Sequence, residues 1–493
     1  MAVRPPAASD LFTSRWGVIL AGIGMAVGTG NLWRFPRVAA ENGGGSFLIP
    51  WLLALFLWSI PLLIAEFGLG RGARRGPIGA FSALIGRRTA WMGGFVVVTT
   101  VMIMFYYSVV TGWALKYVLA ALTGDLAGVD TAAYWEQYSA SVWQPVLFHA
   151  IAITITGTVV AAGVTRGIER ANRIIMPALF VLLLLAVARA VTLPGAGRGL
   201  AYLFVPDLAL LANYRTWLEA LTQSAWSTGA GWGLAFCYAI YVREGEDVVT
   251  NAVSIGIGNN VASLLAGMAI LPAAFAILPV AEARDALAAG NLGLTFIWIP
   301  EVFARMPAGT IFLPLFFLAL SCAAVSSLIA MVELAARALM DAGATRARAV
   351  RLVMAVGVVM GLPSAVSLQV FENQDWVWGL ALMISGLFIA VAAIRYDVDR
   401  FRADLVERPG SRQRGRPLWA WVLKYLVPIE FAVMFGWWIY QAAVVIDPAG
   451  WWNPIRMYSV GTCVAQWGIA LGILGVFNRR LAARSLRPHA TLG

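Results

Sequence analysis

AVGTGNLWRFP, residues 26–36, places a polar Asn31 and a charged Arg34 inside an apolar run from about Trp16 to Ala39, broken by Gly28 and Gly30. Lipid cannot satisfy loosened backbone groups, so a helix interrupted at membrane depth is tolerated only where it lines a protein-enclosed cavity or binds a ligand. Glycines that merely let a neighbouring helix pack closely are the plainer alternative. A second segment of the same kind argues against it: Ser227-Thr228-Gly229-Ala230-Gly231-Trp232-Gly233 concentrates small polar residues and glycines in the middle of the sixth apolar span. The first and sixth spans hold corresponding positions in two five-span halves, the arrangement of an inverted-repeat transporter with its site at the bilayer midplane. A broken helix offers N–H groups at the start of its outer half and carbonyl oxygens at the end of its inner half. Anions meet the former and cations the latter.

Hydrophobic residues make up 60% of the 493-residue chain and charged ones 12%. Apolar runs long enough to cross a bilayer predict an all-α membrane protein with twelve transmembrane helices, the first and sixth discontinuous. They are placed near 16–39, 46–70, 93–121, 145–162, 172–190, 215–242, 247–279, 309–340, 348–366, 375–396, 418–443 and 457–477. The chain thus divides into an N-terminal segment 1–15, a first repeat 16–190, a second repeat 215–396, two further helices in 418–477, and a tail 478–493. Most of the 36 Lys and Arg residues fall on one side if both termini are cytoplasmic, which predicts a multi-pass protein of the plasma (inner) membrane with that orientation. The formal charge of +11 is then explained by anionic lipid beside helix ends, without nucleic acid. No cleavable signal is evident. Cys237, Cys322 and Cys463 are scattered within spans, and the two histidines, His149 and His489, lie far apart, so no metal cluster or disulfide framework is expected. Catalytic motifs are not found, and an enzyme is not expected.

These stretches, together with ENGGGSFLIPW at 41–51, IPLLIAEFGLGR at 60–71, FYY at 105–107, GNNVASLLAG at 258–267, SCAAVSSLIAMVE at 321–333 and NQDWVWG at 373–379, resemble the neurotransmitter:sodium symporter family in order across spans 1 to 10. The resemblance implies a sodium-coupled carrier of an amino acid, working by alternating access, with two sodium sites. The first would use the Ala26 carbonyl, the side-chain oxygens of Asn31 and Asn259, Ser227 and a substrate carboxylate. The second would use the carbonyls of Gly24, Val27 and Ala323 with the hydroxyls of Ser326 and Ser327. Hard cations take such oxygens, although a helical serine also commonly bonds back to its own preceding turn.

By the same resemblance, Gly28 stands where carriers of amines lacking a carboxylate hold an acidic residue, so the substrate is expected to bring its own carboxylate to Thr29, Gly30 and Tyr107. Met25, Ala26, Ile103, Tyr107, Trp226, Ser227, Gly229, Trp232, Ser327 and Met331 complete the expected pocket. Trp232 narrows it and favours a small neutral amino acid such as glycine or alanine. Gly229 and the flexible Met331 could return that volume to a larger hydrophobic or aromatic side chain. Arg34 and Asp375 match the outer gate with Trp226 as its lid, and Tyr241 and Asp341 the inner closure. Where the family places the arginine partner of Asp341 this chain has Ser9, with Arg4 the nearest basic residue. Buried Glu66 needs a partner.

Neutral Ser263 stands where chloride-independent members carry a glutamate, which implies an anion held by Gln223, Ser227, Asn259 and Ser263, with Trp51 in place of a tyrosine. The competing view of Ser263 is simple packing in a helix. A carrier coupled to protons, and a sensor that binds amino acid without moving it, are the alternatives from outside this reading. The oligomeric state is left open.

Overall fold

The computed structural model describes residues 11–407 and 417–486. Ser9 and Arg4 lie outside them. Among the described residues ten continuous helices are long and apolar enough to cross a membrane and a bent pair makes an eleventh span; the sixth of the twelve expected spans is present as two short helices on either side of an unwound stretch. The first span starts at Arg15, where Ser14 caps it by accepting the Gly17 N–H, and its helix ends at Ala26. After the break the chain bends by 58° and resumes over Gly30–Glu41. The sixth span runs Tyr214–Ser227, unwinds, and continues as a short inner helix, Leu234–Ala239.

The unwound part of the sixth span shows how loosened backbone survives in a membrane. Gly229, Gly231 and Gly233 adopt φ of 71°, 89° and 77°, a left-handed region that side chains disfavour. Protein groups take up the freed backbone polarity: Glu66 accepts the N–H of Gly231 at 2.6 Å and of Phe236 at 3.1 Å. The Thr100 hydroxyl donates to the Trp232 carbonyl at 2.6 Å and that of Ser385 to Gly231 at 2.5 Å. Glu66 is thereby explained: its partners are backbone amides, not a cation.

Several boundaries differ from the sequence reading. The last helix, Val460–Ser485, runs beyond 477, so the expected tail at 478–493 is helical as far as Ser485. Asn478 fixes this extension by accepting the Trp91 N–H and donating to the Arg87 carbonyl. The tenth span starts at Leu368, capped by Ser367, which sets Asp375 inside the helix. Between the seventh and eighth spans, short helices including Val280–Ala288 and Ile299–Arg305 fold over one end of the bundle. They are too short and too polar to register as spans.

Candidate functional site

The two breaks face each other across a cavity of about 310 Å³. Every residue expected to hold the substrate lines it: Met25, Ala26, Gly28, Thr29, Gly30, Ile103, Tyr107, Trp226, Ser227, Gly229, Trp232, Ser327 and Met331. Gly30 is open around its Cα, so a ligand can approach the backbone there. Gly28 is not open: a side chain would press on Tyr107 Oη at 2.7 Å and Ser327 Oγ at 3.0 Å. Tyr107 is held by the Thr29 N–H, which donates to its oxygen at 3.0 Å, leaving the phenol hydrogen free to donate into the cavity. Trp226 and Trp232 meet edge to face, ring centres 6.3 Å apart.

On one flank, a chain of hydrogen bonds sets the orientation of two buried amides. The Gly28 N–H donates to Asn31 Oδ1 at 2.9 Å, which turns Asn31 Nδ2 outward to donate to Asn259 Oδ1 at 2.7 Å and to Ser263 Oγ at 2.8 Å. Asn259 Oδ1 then lies 2.7 Å from the Ser227 carbonyl oxygen and 3.3 Å from that of Ala26. Turning the Asn259 amide would relieve this crowding, but it would bring its nitrogen against the amide nitrogen of Asn31. Converging oxygens with no hydrogen between them are the donor set of a hard cation. Asn31 itself faces the group through nitrogen. Its oxygen, the expected ligand atom, accepts the Gly28 N–H, and its nitrogen orients Asn259.

A second oxygen cluster lies across the first span. The Ser327 hydroxyl is within 3.1 Å of the Val27 carbonyl and 3.3 Å of those of Gly24 and Met25. One hydroxyl hydrogen can serve only one of three carbonyls, so this cluster too has surplus oxygen. Ser326 bonds back to the Ala323 carbonyl at 2.9 Å. Sodium, as cargo, fits both clusters by the chemistry of their oxygens.

The cavity continues past Arg34, Gln223, Glu219 and Asp375 to Arg37, Trp437 and Gln441, away from the N-terminus. The expected gate pair is not closed. Arg34 Nη1 is buried without a hydrogen-bond partner, and the guanidinium sits 5.6 Å from the centre of the Trp226 ring rather than on the Asp375 carboxylate.

The opposite end is shut. Asp341 pairs at 2.7 Å with Arg337, four residues earlier on its own helix, and accepts the Gly76 N–H at 2.5 Å. Tyr241 donates to Glu333 at 2.5 Å, and Arg346 closes on the same carboxylate at 2.6 Å. The backbone of Phe12 donates to the Tyr241 carbonyl, and Thr13 binds Glu169 through its N–H at 2.9 Å and its hydroxyl at 2.6 Å. The sequence reading names Tyr241 and Asp341 but misses Glu333, Arg337, Arg346 and Glu169. A signal was present: Glu333, Arg337 and Asp341 recur every fourth residue, one charged stripe on an otherwise apolar helix.

Profile comparison matches residues 9–145 and 143–477 to the Sodium:neurotransmitter symporter family. The chain belongs to that family. Among its relatives, the uncharacterized sodium-dependent transporter MJ1319 of Methanocaldococcus jannaschii is 33% identical, over 78% of this chain and 80% of its own length. The uncharacterized sodium-dependent transporter YhdH of Bacillus subtilis is 30% identical, over 86% and 96%. A crystal structure of MhsT in complex with L-phenylalanine superposes with a TM-score of 0.77 at 31% identity, covering 86% of this chain and 99% of that one. This member of the symporter family is a sodium-dependent, multi-pass membrane transporter.

Proposed function

We propose that the protein carries a neutral amino acid inward across the plasma (inner) membrane with two sodium ions, both termini lying in the cytoplasm. The observation that carries this reading is the pair of oxygen-surplus clusters flanking one cavity, Asn259 with Ser227 and Ala26 on one side and Ser327 with Gly24, Met25 and Val27 on the other. No carboxylate lies beside Gly28, so the substrate carboxylate is the natural anion for the Tyr107 hydroxyl and the first cation. Sodium and substrate then strengthen each other's binding by the same factor, because each completes the other's site. Alternating access follows from opening the Tyr241–Glu333–Arg346 and Arg337–Asp341 end while the Arg34–Asp375 end closes.

A small side chain is favoured by Trp232, which stands in the cavity wall beside Trp226. A second reading, a larger aromatic or aliphatic substrate, is supported by the space around Gly229, where an added carbon meets nothing nearer than 3.6 Å, and by the phenylalanine in the MhsT complex. Chloride belongs to the proposal through Ser263. The Trp51 Nε1 atom is buried without a hydrogen-bond partner, and its indole N–H is a donor suited to an anion, whereas Gln223 donates its amide to the Gly30 carbonyl and would have to turn to face one.

Uptake of each common amino acid into proteoliposomes, with an inward sodium gradient or with choline in its place, tests the function. Sodium-driven accumulation, abolished in Ser327→Ala, is expected. Equal uptake in sodium and choline would refute it.

A further inference from the structure

The fifth span, Arg170–Val191, packs along the inner half of the first span through two glycines seven residues apart. A side chain at Gly17 would overlap the Glu169 carboxylate, and one at Gly24 would overlap Asn172 Oδ1. Asn172 is fully buried. Its Nδ2 donates to the Ile168 carbonyl at 2.9 Å, and this fixes the amide, because turning it would set two oxygens against each other. Oδ1 therefore points at Gly24 and has no hydrogen-bond partner. The same point in space lies 3.3 Å from Ser326 Cβ, so Gly24, Ser326 and Asn172 converge. Gly24 belongs to the second oxygen cluster, and Ser326 precedes its Ser327. A buried amide oxygen with no partner in the protein, one residue contact from a carbonyl cluster, is unfavourable by itself and is satisfied if a cation joins it.

We propose that Asn172 supplies a further oxygen to the cation of the second site, so that one ion ties the fifth span to the first and eighth. The proposal rests on the sodium-coupled reading above. It also couples the ion to closure, since Glu169, which holds Thr13, is three residues from Asn172 on the same stretch of chain. Loss of the ion from this corner frees the first span at the point where the N-terminal segment is latched.

The test is equilibrium binding of radioactive sodium to purified protein without amino acid, with lithium as competitor. Asn172→Leu, which keeps the bulk and removes the oxygen, is expected to raise half-saturating sodium about tenfold, the loss of one oxygen contact to a charge. Asn172→Asp, which restores the oxygen, is expected to bind sodium at least as tightly as the unmodified protein and to shift its preference against lithium. Should Asn172→Leu fail to fold, Asn172→Ala and Asn172→Asp carry the comparison. Unchanged sodium saturation and unchanged lithium preference in the folded variants overturns the inference and leaves the function intact. Absence of sodium binding in the unmodified protein overturns the function itself.

Discussion

Arg337 and Asp341 stand one helical turn apart on the eighth span and form a buried 2.7 Å ion pair. The arginine that neutralises Asp341 thus comes from the same helix. Ser9, which lies outside the described residues, has no charge to offer. A consequence is that this pair need not break when the N-terminal segment swings away. The closure that must break is the one between segments, Thr13 on Glu169 and Phe12 on Tyr241.

Arg337→Ala removes the ion-pair partner that buried Asp341 has on its own helix and is expected to destabilise the protein by about 3–5 kcal/mol. The thermal unfolding midpoint in detergent reads this directly. Adding Asp341→Ala should recover most of the loss. A large effect of Arg4→Ala with none from Arg337→Ala would return the pairing to the N-terminus.

At the other end, Arg34 rests over Trp226 instead of on Asp375, with an unpaired Nη1. The pair is available for a later state. Arg34→Ala and Asp375→Ala are each expected to lower turnover about tenfold or more while equilibrium binding of the amino acid changes little. Wild-type transport in both single variants removes the pair from the cycle.

Trp232 occupies the cavity wall, its carbonyl pinned by Thr100 and its ring set against Trp226. Trp232→Leu should shift selection from alanine toward leucine by about tenfold, the scale of a few methylenes in a binding pocket. Competition of the two amino acids in uptake measures it. An unmodified protein that already prefers leucine or tryptophan to alanine would show that the ring does not limit size.

Ser263 accepts a hydrogen bond at 2.8 Å from the same Asn31 nitrogen that donates to Asn259. A cation held there by neutral oxygens leaves a net positive charge in a dry environment, which a nearby anion offsets. Transport is expected to need chloride, and Ser263→Glu to relieve the need. Full-rate sodium-driven uptake in gluconate excludes the anion.

The sequence by itself determined the twelve spans, the two breaks and the pool of oxygens around them. Glycine, asparagine and serine at membrane depth are costly without a ligand or a partner, and that cost is readable in one dimension. All the residues expected of the substrate pocket therefore meet around one cavity. Partnership was not readable in this way. The orientation of Asn259 depends on Asn31, 228 residues away, and through it on the Gly28 N–H. The hydrogen bonds of Gly231 and Phe236 to Glu66 and the outer arginine resting on Trp226 likewise depend on distances between helices. An amide or a carboxylate presents the same letters whichever neighbour it faces. Only the packing of the first, fifth, sixth, seventh and eighth spans decides which oxygen is left for a cation, because hydrogen bonds a few tenths of an ångström longer would leave each group a different partner.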